Sequence, residues 1–127
     1  MSAFLDDMRD LIVADASIAA RYGTRIYFQL LPGEIDKDQV WLRWGFTKSS
    51  DVACMGGGTA YTNYNLFFDI LSKSINDLPL MGDEIISNLN GITYNGIMDL
   101  RFQSDVYSNY QEKDIYMHTL NFTAQHK

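Results

Sequence analysis

Residues 61–89, YTNYNLFFDILSKSINDLPLMGDEIISNL, change their hydrophobic period halfway along, and that change decides the fold class. In the first half Thr62, Tyr64, Leu66, Phe68 and Ile70 share one face of an extended strand. Tyr61, Asn63, Asn65, Phe67 and Asp69 share the other. A strand that is apolar on one face and half polar on the other needs a packed layer on one side only. In the second half Met81, Ile85 and Leu89 recur every four residues, which places them on one side of a helix. A long strand feeding an amphipathic helix is a sheet-plus-helix unit.

Upstream, Ser2 is suited to cap a helix whose first turn holds Asp6 and Asp7. Phe4, Met8, Leu11 and Ile12 lie at helical spacing, so residues 3–14 read as a helix. Asp15 can cap a short turn over 16–22, and Gly23 ends it. Residues 25–31, RIYFQLL, read as the first strand, stopped by Pro32-Gly33 and followed by an acidic loop. Residues 40–47, VWLRWGFT, form a second strand with aromatic side chains on both faces, as in a central strand or one covered by a partner subunit. Residues 48–60 lack any period and contain three consecutive glycines, which predicts a long interaction loop built on Lys48, Met55, Gly56, Gly57, Gly58 and Thr59.

Downstream, Pro79 fits the first turn of the second helix, which runs to about Asn90 with Gly91 as its exit. Asn95-Gly96 marks a hairpin between 92–94 and a strand from Ile97. Residues 108–112 break the pattern as a polar turn, residues 115–124 are the last strand, and 125–127 are a solvated tail carrying His126. No repeat or linker divides the chain, so residues 1–127 are expected to form one domain. The fold class is α+β: a mostly antiparallel β-sheet with two α-helices packed on one face.

Composition narrows the function. A net charge of −6 argues against nucleic-acid binding as the main activity, because phosphates are held by basic patches. No apolar run suggests a membrane helix, and the acidic N-terminus does not read as a signal peptide, so a cytosol-like site of synthesis is expected. A single cysteine, Cys54, excludes an internal disulfide and a multi-thiolate zinc site. The Gly56–Gly58 run lacks the lysine of a phosphate-binding loop and precedes a strand rather than a helix. His118, on a strand face, reads as a hydrogen-bonded structural residue. No catalytic residue, metal ligand or cofactor is expected, and the chain is not expected to be an enzyme. The aromatic content, 13% of residues, points instead to subunit assembly through Trp41, Trp44, Tyr61, Tyr64 and Phe67.

This ordered set resembles the small tail-completion, or tail-terminator, proteins of long-tailed bacteriophages. The resemblance rests on the helix closing at Arg21-Tyr22-Gly23, the strand at Arg25-Ile26-Tyr27 and the aromatic strand Val40-Trp41-Leu42-Arg43-Trp44. It continues through the glycine-containing loop, the strand from Tyr64 to Ile70, the helix ending at Asn90-Gly91 and the closing strand Thr119-Leu120-Asn121-Phe122-Thr123. Two positions depart from the family pattern: Gln39 stands where a proline is usual, and Pro79 and Gly82 lie near the start of the second helix. The resemblance implies a non-enzymatic virion protein, made in the host cytoplasm, that forms a homo-oligomeric ring, typically a hexamer, capping the tail tube. Its partners would be the tail tube protein and the head–tail connector proteins, with double-stranded DNA passing through unbound and no membrane involved. A head-closure or neck protein of the same junction is the near alternative. A small cytosolic ligand-binding α+β domain is the alternative from another class.

Overall fold

The computed structural model describes residues 3–53, 55–110 and 114–127; the expected Ser2 cap, Cys54, the Gln111-Glu112 turn and the side chain of Thr59 lie outside it. The elements run α1 (Ala3–Ala14), α2 (Ala16–Tyr22), β1 (Ile26–Phe28), β2 (Trp41–Ala53), β3 (Thr59–Ser72), a 3-10 turn (Ile75–Asp77), α3 (Leu78–Leu89), β4 (Ile97–Asn109) and β5 (Tyr116–His126). The strands form one sheet in the order β1-β2-β3-β5-β4. β3 and the helix after it hold the centre, as the change of period requires.

The inner face of the sheet carries Leu42 and Trp44 from β2, Leu66, Phe68 and Ile70 from β3, and Leu120, Phe122 and Ala124 from β5, all buried. The helices cover it. α1 contributes Phe4, Met8, Leu11 and Ile12, and α3 contributes Leu78, Met81, Ile85 and Leu89, so one contiguous core joins both layers. Asp15 accepts from the Ile18 N–H at 3.0 Å and caps α2, whose exit is Gly23 in left-handed geometry. Arg21 then clamps α2 to α3 through a two-pronged pair with Glu84 at 3.0 and 3.1 Å.

The architecture is α+β, with five differences in detail. The described residues contain three α-helices rather than two, because the capped turn at 16–22 closes into a helix of its own. The sheet is mixed, since β1 pairs with β2 in parallel while the other neighbours are antiparallel. β1 is also shorter than the sequence suggests: Gln29 takes a positive φ of 65° and Leu30 N–H turns back onto Phe28 O, ending the strand. Residues 92–94 form no strand; a single bridge, Tyr94 to Ile97, closes the Asn95-Gly96 turn. The fifth difference is the interaction loop. β2 runs on to Ala53 and β3 begins at Thr59, so most of residues 48–60 is strand.

Candidate functional site

The far end of the β2–β3 hairpin, from Lys48 outward, holds together without the buried apolar stripe of its base because its polar side chains bond across the ladder. Thr62 Oγ1 donates to Asp51 at 2.7 Å, Asn63 donates to Ser50 at 3.0 Å, and Lys48 pairs with Asp51 at 2.9 Å. The Lys48 bond, then the Thr62 hydroxyl, hold Asp51 below the usual carboxylate range. Lys48 is therefore a strand residue rather than part of a loop. Beyond the pairing of Thr62 with His126 the hairpin continues as two strands alone, ending in a tip where Gly57 and Gly58 take positive φ and Met55 is fully exposed. Periodicity gave little sign of this arm, since none of its described side chains is fully buried on either face.

The five expected interface aromatics separate. Trp44, 2% exposed, packs against Phe28 in the core; its face of β2 is the inner one. Tyr64 also faces inward, stacked on Phe4 with ring centres 3.9 Å apart. Trp41, Phe67 and Tyr61 remain half-buried on the outer side or the arm. The Phe67 ring lies across Gly45, where a Cβ would meet it at 2.7 Å, so that glycine is needed for the close approach. Trp41 Nε1 donates to Asp36 O at 3.0 Å, which folds the acidic loop over the end of the outer face.

That outer face contains a buried ion pair that strand patterning alone did not reveal. Asp69, 3% exposed, accepts from Arg43 at 2.6 and 2.8 Å and from the Thr119 hydroxyl at 2.5 Å. Tyr110 lies 5.7 Å from the guanidinium, and Leu71 and Ile115 are buried at the same end of the sheet. The available signal was one charge in the middle of each of two adjacent strands.

Both histidines are bonded to carboxylates, and the reading of His126 as a solvated tail residue is corrected. It ends β5, is buried against Phe4, and donates to Asp7 at 2.6 Å, which ties the last strand to α1. His118 donates to Asp105 at 2.7 Å, stacks on Tyr107 at 4.0 Å, and leaves a buried Nδ1 without a partner. Burial raises the Tyr107 phenol, with the Asp105 and Asp83 charges adding to the shift.

Besides a shallow groove of about 400 Å³ beside the Arg21–Glu84 pair, two grooves lie along the sheet. One, of about 380 Å³, runs beside β1 between Arg9, Val13, Thr24, Tyr27 and neighbouring apolar residues. The other, about 230 Å³ and polar, lies on the outer face between Ser49, Asn63, Asn65 and Gln125. Among the described residues no group of three or more His, Cys, Asp or Glu could hold a metal ion, and no helix is long and apolar enough to cross a membrane.

No family model and no curated protein matches the sequence. Among solved structures, the chain matches one chain of the virion of a native gene transfer agent (GTA) particle. The TM-score is 0.70 at 18% identity, over 95% of this chain and 92% of that one. At this identity the likeness is one of fold.

Proposed function

We propose that this chain is a structural virion protein that forms a ring on the end of a tail tube, stops tube growth and joins the tail to the head connector. The observation that carries the reading is the end-to-end fold likeness to a chain of a gene transfer agent virion. The family resemblance of the sequence points to the same kind of particle. The arm supports it as well: a hairpin with an exposed methionine at its tip is suited to docking on a tube or connector subunit. An acidic subunit suits a ring that lets DNA pass without holding it.

Imaging particles assembled without this chain tests the role. Tubes of uncontrolled length are expected. Finished tails of normal length beside leaking heads would instead assign the chain to head closure, and normal particles would remove it from the junction.

A further inference from the structure

The two open edges of the sheet lie in the same row. Cross-strand partners run Ile26, Leu42, Ile70, His118, Tyr107 and, one step along, Phe28, Trp44, Phe68, Leu120, Asp105. β1 is thus level with residues 105–107 of β4 at the opposite edge. The strand directions also match. β1 runs parallel to β2, and three antiparallel steps then lead to β4, so β1 and β4 run in opposite senses. A second copy set beside the first in the same orientation presents β4 to β1 as an antiparallel neighbour, with no reversal needed.

Backbone groups are open on both sides. Leu42 N–H donates to Arg25 O at 2.9 Å and Gln29 N–H to Trp44 O at 2.7 Å, so the odd-numbered residues of β1 face β2. The peptide groups of Ile26 therefore point out of the sheet, as does the Phe28 N–H, while the Phe28 carbonyl is taken by Leu30 N–H. On β4, Leu100 O and Phe102 N–H are capped from the end of α3 by Gly91 and Asn90, and this capping stops before residue 105. Uncovered edges of this kind pair with another strand unless something blocks them.

Side chains beside the two edges are complementary. No carboxylate lines the groove along β1, which contains Arg9 and the exposed Val13, while Leu30 just past β1 is 79% exposed. Among the described residues Arg9 has no ion pair; Arg25 and Lys127 have none either, but Arg25 is held by the Val40 and Arg21 carbonyls. Arg21, Lys37, Arg43, Lys48, Lys73 and Arg101 are each paired with a carboxylate. The β4 side offers Asp105, bonded to His118, and Asp83, whose neighbour Gly82 lies against that same histidine under Tyr107, with Leu80 exposed on the first turn of α3. Asp83, like Arg9, has no ion pair within the described chain. We infer that the β1 edge and its groove receive the β4 edge of a second copy, pairing Ile26–Phe28 with residues 105–107 and placing Arg9 against Asp83. The contact is head-to-tail, and such contacts close into rings when the rotation per copy allows. The inference deepens the ring reading above and rests on it only for closure.

The test uses the full chain carrying Cys54→Ser, which removes the single native thiol. Val13→Cys and Leu80→Cys are made separately, both at exposed positions, then mixed and treated with a short bismaleimide. The mixture is expected to cross-link while neither variant links to itself. Adding Arg9→Glu to the first variant should cut the yield about three- to fivefold, the scale of one exposed ion pair, and Asp83→Arg on the second should restore it. A Val13→Cys self-link, no link at any concentration, or a yield indifferent to the charge changes overturns the pairing. Each of these leaves the ring reading to the imaging of tails, whereas normal tails without the chain would sink that reading and leave the pairing intact.

Discussion

Gly82→Ala sets two opposite effects against each other at one position. A Cβ on this α3 residue would stand 2.6 Å from His118 Cε1 and 2.7 Å from Nδ1, closer than real contacts allow. Alanine favours a helix interior over glycine by about 0.8–1 kcal/mol. Forcing a methyl into a filled core costs about 1–3 kcal/mol. His118 cannot swing aside freely, because Asp105 holds Nε2 and Tyr107 covers the ring; losing that hydrogen bond would cost about a further 1 kcal/mol. The net expectation is a destabilisation of about 1–2 kcal/mol, seen as a fall of roughly 0.5–1 M in the urea midpoint. Buried Trp44 supplies the fluorescence signal. Gly33→Ala, with nothing within 4 Å, should change stability by less than about 1 kcal/mol. In a His118→Ala background the same Gly82→Ala change should become neutral or favourable, by up to about 1 kcal/mol. A single Gly82→Ala variant as stable as the parent would mean that α3 is not seated against His118.

Further expectations follow from the polar groups. Arg43→Met strands the nearly enclosed Asp69 carboxylate and should cost about 3–5 kcal/mol, more than Asp69→Asn, which leaves the better-solvated guanidinium; the opposite order in urea titrations would refute this account of the pair. Burial raises the Tyr22 phenol well above its usual value, so folding holds its proton. That stability is complete below the unfolded value near 10 and declines as pH climbs toward the folded one; Tyr22→Phe should abolish the decline. The same variant should cost little at neutral pH, because the buried hydroxyl has no partner among the described residues, and a large loss would reveal one. Excising residues 55–58 should leave thermal unfolding within about 2–4 °C of the parent while particle assembly falls; loss of soluble protein would show the tip to be part of the core.

Much of the fold was legible because burial imposes a period. The stripe at Phe4, Met8, Leu11 and Ile12 and the alternation through Phe68 and Ile70 each led to the observed element and inner face. Where no described side chain is fully buried on either side, the period fades, which is why the outer hairpin read as a loop. Trp44 was misassigned for a related reason: alternation gives two faces but does not say which one the helices cover. His126 was missed because its burial depends on Asp7, 119 residues away, and on the closeness of Gly96, where a Cβ would meet the ring at 2.8 Å. The parallel β1–β2 pairing depends on the path of residues 29–40, which local propensity does not specify.

The far end of the β2–β3 hairpin is bound to the domain by its ladder and a few side-chain bonds, and none of its described side chains is fully buried. Its opening is therefore a separate, low-cost event from melting of the core, and amides there should exchange with deuterium at rates that core substitutions do not alter. Mechanically it is a finger that can bend to meet an imperfectly aligned neighbour while the body stays folded. Residues at 51–53 and 59–61 can then be varied for fit without drawing on the stability held elsewhere.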